Sequence, residues 1–263
     1  MCVVDGHGKH GGSVSSAIRD SLRRLLPQVS SGEGAAQGLA RAVLAADTAL
    51  LLNDEVDSDL SGATCAVCRV EGLADPGARR LAAAHVGDCR VLLGRREEPT
   101  RRGEAVRWRT VRLTEDHRPD SPDEARRLLA AGARVQRAQF TVADRPPCFA
   151  GPSRLWHRGG NGLAPGLAMS RGMGDVLGQG CGLLAEATSV EIALTPGDAL
   201  VVVASDGIFD VLSDAEVLHC CRTFWQARKA SDAAASVVAA ASRAWGSRGA
   251  EYRDDCTCVV LFF

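Results

Sequence analysis

The chain of 263 residues has no apolar run approaching the roughly 18 residues of a membrane helix, and its start lacks a basic stretch followed by an apolar one. A membrane span and a secretory leader are therefore not expected, which points to a soluble intracellular protein of the cytoplasm or nucleus. Lysine is almost missing: Lys9 and Lys229 are the only two, so nearly all positive charge is arginine. The net charge of -1 gives no general attraction to nucleic acid or an anionic membrane. The ten cysteines include a single C-x-x-C, Cys65 to Cys68, and no second pair at zinc-finger spacing. That pair lies in a strand-like segment, where a three-residue offset sends side chains to opposite faces, so reduced core thiols are expected. Apolar residues, by contrast, are plentiful at 46%, enough for a full core in one large domain or two small ones.

The chain is organised around Ala199 to Leu212, ALVVVASDGIFDVL. Six apolar residues rich in β-branched valine predict a strand buried on both faces. It ends abruptly in Asp206 and Asp210. Gly207, free to take unusual backbone angles, would aim the Asp206 carboxylate into a cleft for metal binding or catalysis. Alone, an Asp-Gly pair more commonly begins a turn.

Elsewhere the same pattern recurs. MCVVDGHG is a short apolar strand followed by Asp5, Gly6 and His7, and Gly6 could let a backbone carbonyl approach an ion. Helices are predicted over Ser13 to Leu26 with Pro27 as its stop, over Leu39 to Leu52, over Ser121 to Ala131 capped by Ser121 or Asp120, and over Asp214 to Gln226 and Asp232 to Trp245. The first two could pack as a hairpin on one face of a sheet. Three strand segments are expected from Ser61 to His117, with Gly87-Asp88 as a tight connection inside the second, and further strands over Ser189 to Leu194 and Cys258 to Phe263. Residues 136 to 166, rich in Pro, Gly and Arg without periodicity, are expected to be an irregular flap or a disordered insertion.

Four strand-edge acids, Asp5, Asp88, Asp206 and Asp254, thus come from distant parts of the sequence. Were they to converge, their repulsion would call for cations or raised pKa values. Carboxylates with a glycine carbonyl select hard ions such as Mg2+ or Mn2+, and a pair of these suits phosphoester hydrolysis. For Asp88 taken singly, a turn residue is the plainer reading.

VVDGHG, SGATC, HVGDCRVLL, LTEDHRPD, AAGARV, LAMSRGMGD, VVVASDGIFDVL and RDDCTCVV, in this order from Val3 to Val260, resemble the signature segments of the type 2C metal-dependent Ser/Thr protein phosphatases. The resemblance implies an α+β fold, a four-layer α-β-β-α sandwich of two antiparallel sheets flanked by helices, with two Mg2+ or Mn2+ ions at one edge between the sheets. It implies that Asp5 bridges both ions, that the Gly6 carbonyl binds the second, and that Asp206 and Asp254 complete the first. Asp88 and Asp210 resemble the acids of a weaker third-ion site, and His7 the general acid for the departing alkoxide. His7 could instead only orient a neighbouring carboxylate. The implied activity is hydrolysis of phosphoserine and phosphothreonine in phosphoprotein substrates, by attack of a hydroxide held between two ions, in a single monomeric domain over 1 to 263. The alternative is a catalytically weak or inert phosphatase-like binding protein. The first strand of the family, with its phosphate-binding arginine and an acidic pair, has no counterpart here, so the domain is expected to be N-terminally incomplete. Asp255 stands where the family usually has Asn, and Gly132-Ala133 where it has Gly-Gly. Arg171 is expected to be a structural ion-pair residue.

Overall fold

The computed structural model describes residues 1–32, 34–72, 78–99, 105–140, 148–157, 165–248 and 253–263. β1 (Cys2–His7) leads into α1 (Gly11–Leu25), whose last turn tightens at Pro27, and α2 (Ala35–Leu51) follows. β2 (Gly62–Gly72), β3 (Arg79–Val86), β4 (Arg90–Glu97) and β5 (Arg107–Arg112) precede α3 (Pro122–Ala130). β6 (Arg134–Phe140), β7 (Cys148–Trp156), β8 (Pro165–Leu167), β9 (Met173–Gly174) and the one-turn α4 (Val176–Gln179) lead to β10 (Thr188–Leu194) and β11 (Asp198–Ala204). The chain continues through α5 (Asp206–Phe209), α6 (Asp214–Arg222), α7 (Ala230–Ser247) and β12 (Cys258–Phe262).

Strand alternation builds the layers. β1, β2, β3 and β10 form one antiparallel sheet, with β9 paired to the start of β2, and β12, β11, β4 and β5 form a second. In β2, Cys65 and Val67 face Val14, Ile18, Leu39 and Val43 of α1 and α2, whereas Ala66 and Cys68 face the other sheet. β11 does the same: Leu200 and Val202 pack under α6 and α7, while Val201 and Val203 meet Val3, Ala83 and Leu93 between the sheets. Each such fully buried Val or Leu contributes roughly 1.5–3 kcal/mol of transfer free energy. This is the expected four-layer sandwich, and the two thiols of the C-x-x-C do point to opposite faces, both free.

The second of the three expected strand segments is in fact two strands in different sheets. The chain leaves the first sheet at Val86 and enters the second at Arg90, so Gly87-Asp88 is a crossing between sheets rather than a hairpin turn. Within 136–166, expected to be irregular, β6, β7 and β8 pair in a third antiparallel sheet, anchored through Leu155 and Leu167 on Leu128 of α3; 141–147 and 158–164 lie outside the described residues. At α3 the Ser121 hydroxyl makes no capping bond, and Pro122 in the first turn sets the start. Ser213 and Glu216 form a full capping box on α6. Among the described residues no helix is long and apolar enough to cross a membrane.

Candidate metal centre

Both sheets end at one cleft. Asp5 arrives on β1, whose register pairs it with Thr64 of β2. Gly6 leaves room for the start of α1: a Cβ there would lie 2.2 Å from the Gly11 carbonyl oxygen. Asp88 sits on the crossing, where Gly87 takes the left-handed region (φ +92) and a Cβ would lie 2.3 Å from Thr64 Cγ2, so glycine is required twice over. At the end of β11, Thr257 N–H donates to Ser205 Oγ, which itself donates to the Asp255 carbonyl, tying the start of α5 to the segment that leads into β12. Asp206 and Asp254 are thereby brought side by side. Gly207 is helical, and its lack of a side chain matters for closeness rather than for unusual angles: a Cβ would fall 2.2 Å from the Asp255 carbonyl oxygen.

Asp5, Gly6, His7, Asp88, Asp206 and Asp254 all line a single cavity of about 390 Å³. Asp210 is not on its wall; it caps α5, with its carboxylate 3.8 Å from Arg118. The crowding shows in the acids. Burial, then the charge of Asp206 and a hydrogen bond shared with it, push Asp5 up to about 8. Burial followed by Asp206 pushes Asp88 up to about 7. Asp88 is 2% exposed, and its Oδ2 has no hydrogen-bond partner, with Arg118 3.8 Å away.

Among the described residues no three such groups stand in ready-made coordination of one ion. The donor set nonetheless fits a hard divalent cation: the converging donors are oxygens, one carboxylate oxygen is buried without a partner, and two acids are displaced upward by burial and by the charge of Asp206. Opposite charge inserted among them would give the unpartnered oxygen a partner and relieve the displaced acids.

His7 Nε2 lies 2.5 Å from Asp175 Oδ2. Burial lowers the imidazole pKa, but Asp175 first and then Asp88 and Asp206 outweigh it, so the net displacement is upward and favours the imidazolium. Asp175 itself is 1% exposed with φ 47, a left-handed conformation that costs a non-glycine residue roughly 1–2 kcal/mol. Gly62 makes space for it, since a Cβ there would lie 2.2 Å from Asp175 Oδ2. Sequence reasoning passed over Asp175, although it ends an apolar-glycine-acid run, Met173-Gly174-Asp175, like the Val86-Gly87-Asp88 run that drew attention to Asp88. It also passed over Arg253, the only Arg or Lys among the described residues lining the cavity, directly before Asp254. Arg171 is structural as expected: it grips Glu124 Oε1 through Nε and Nη2 at 3.1 and 2.6 Å. Burial would raise the Glu124 pKa, but Arg171 and Arg127 overcome it and hold the carboxyl at about 2.

Residues 1–249 match the family model described as Protein phosphatase 2C. A probable protein phosphatase 2C of rice (Oryza sativa subsp. japonica) is 34% identical over 99% of this chain, which spans 57% of that relative's length. The structure resembles a serine-threonine phosphatase 2C from Toxoplasma gondii, with TM-score 0.74 and 21% identity, covering 100% of this chain and 84% of that one. It also resembles the catalytic domain of the phosphatase PstP solved with two manganese ions, with TM-score 0.56 and 21% identity over 98% of this chain and 85% of the other.

Proposed function

Because the chain belongs to the protein phosphatase 2C family, we propose that it is a Mg2+- or Mn2+-dependent protein phosphatase acting on phosphoserine and phosphothreonine. The observation that carries this reading is the convergence of Asp5, Asp88, Asp206 and Asp254 on one cavity, with two of them displaced upward by burial and mutual charge. Asp5, the Gly6 carbonyl, Asp206 and Asp254 would hold a pair of ions, and Asp88 with Asp210 would serve a weaker third. When bound, such ions would neutralise phosphoryl charge and acidify water towards neutral pH.

The protein's own groups supply the remainder. Asp175 engages Nε2 of His7, which leaves Nδ1 as the nitrogen from which a proton would pass to the departing serine or threonine oxygen. The permanent charge of Arg253 would hold the phosphoryl group against a wall rich in carboxylates. Residues 1–263 act as one phosphatase domain in this proposal, with 136–166 as a flap that selects substrates. Support for the flap comes from Met169, which both packs in the cluster beneath β7 and lines the metal cavity.

The test is hydrolysis of a phosphothreonine peptide by the purified chain with Mn2+, with and without chelator, beside Asp206→Asn. Turnover that needs the ion and disappears in the variant is expected. A folded chain that binds Mn2+ and hydrolyses nothing would reject catalysis and place the function in partner binding.

A further inference from the structure

Behind Asp88, outside the metal cavity, two imidazoles stack with centroids 4.4 Å apart and planes 6° from parallel. They belong to His85 of β3 and His117 of the LTEDHRPD segment, and both are buried. Their hydrogen bonds fix every proton. Gly87 N–H donates to His117 Nδ1 at 3.0 Å, so that nitrogen is bare and the ring proton is on Nε2. Nε2 donates to Thr188 Oγ1 at 3.3 Å, the Thr188 hydroxyl donates to His85 Nδ1 at 2.9 Å, and His85 Nε2 donates to the Glu115 carbonyl at 2.8 Å. The chain of donors is consistent from end to end with both rings neutral. Burial first, and then the neighbouring His85, bring the His117 pKa down to about 3, in agreement with that state.

His117 also donates its own N–H to the Gly87 carbonyl at 3.0 Å, so ring and backbone clasp Gly87 from both sides. Its carbonyl accepts from Ser170 N–H at 2.8 Å, in the segment that goes on to Asp175. Gly87 carries the left-handed turn that delivers Asp88, so any freedom at Gly87 is freedom of the Asp88 carboxylate.

We propose that His117 is a positioning residue for the metal centre: its unprotonated Nδ1, held in that tautomer by Thr188 and His85, locks the Gly87-Asp88 crossing and so fixes the Asp88 carboxylate. The inference rests on the reading of Asp88 as a metal-site acid. Residues that orient ligands in this way typically change metal affinity 10- to 100-fold when removed.

Mn2+ calorimetry on the full chain tests it with three variants. Asp88→Asn identifies the binding step that uses Asp88; if it alters none, the reading of Asp88 itself is wrong. His117→Gln reaches the Nε2 position but offers no acceptor to Gly87, and should weaken that same step about tenfold while leaving the others in place. His117→Asn puts an oxygen where Nδ1 was and should stay within about threefold of the native chain. Native-like affinity in His117→Gln, or an equal loss in His117→Asn, overturns the inference while leaving the metal reading intact. Should His117→Gln fail to fold, the 15N shifts of the native histidine rings decide: protonation of His117 at Nε2 alone is expected, and a proton at Nδ1 refutes the proposal.

Discussion

Replacing Asp206 by Asn should stabilise the chelated protein while removing its response to Mn2+. Asp5 is displaced from 3.8 to about 8, with burial the largest cause and Asp206 the next. One unit of displacement corresponds to about 1.4 kcal/mol. Because Asp206 comes second to burial at both Asp5 and Asp88, its removal relieves only part of the displacement, a gain on the order of 1–2 kcal/mol once both acids must ionise, near pH 9. Near pH 5, where Asp5 and Asp88 are protonated in either chain, the gain should shrink towards zero. Asn keeps the shape at the start of α5, so packing is not the variable. Urea unfolding in EDTA at the two pH values measures the difference, and repetition with Mn2+ should find the native chain stabilised and the variant unmoved. A variant less stable than the native chain near pH 9, or equally favoured at both pH values, would show that Asp206 does not strain its neighbours.

In chelator, the unfolding free energy of the native chain should fall as pH rises from about 4 through about 8, because a folded-state pKa above the unfolded one means the folded chain holds the extra proton across that window. Mn2+ binding near pH 7 should accordingly release protons, which appears as a dependence of the calorimetric heat on the buffer's ionisation enthalpy. Arg253→Gln should raise KM for a phosphothreonine peptide about tenfold with kcat far less affected, the loss of one charge-assisted contact; an unchanged KM would remove Arg253 from substrate binding.

Legibility followed exposure. β2 and β11, buried on both faces, announce themselves as continuous apolar runs, and α1 and α7 carry their apolar stripe visibly. β7 did not, because most of its residues are exposed and no alternation is imposed on them. The Gly87-Asp88 crossing reads as a hairpin turn when only its neighbours are considered; that its two strands belong to different sheets is decided by the pairing of β3 with β2 and of β4 with β11. Asp5 and Asp206 were visible as a repeated local pattern, apolar run, acid, glycine, and Asp88 as an acid just after a glycine, whereas the meeting of these acids with Asp254 in one cavity required topology. Gly207 was identified correctly and explained wrongly, since closeness to Asp255 is a property of two segments 48 positions apart and not of the turn itself.

Asp5 belongs to the first sheet, Asp206 and Asp254 flank strands of the second, and Asp88 lies on the link between them. The layer that separates the sheets is filled by Ala66, Ala83, Cys68, Cys89, Leu81, Leu93 and valines. An ion seated among the four acids is therefore a rivet through two plates. Its spacing is set by the apolar side chains of a layer that never touches it, and a wedge driven between the plates far from the cleft would be felt as a change in the grip on metal.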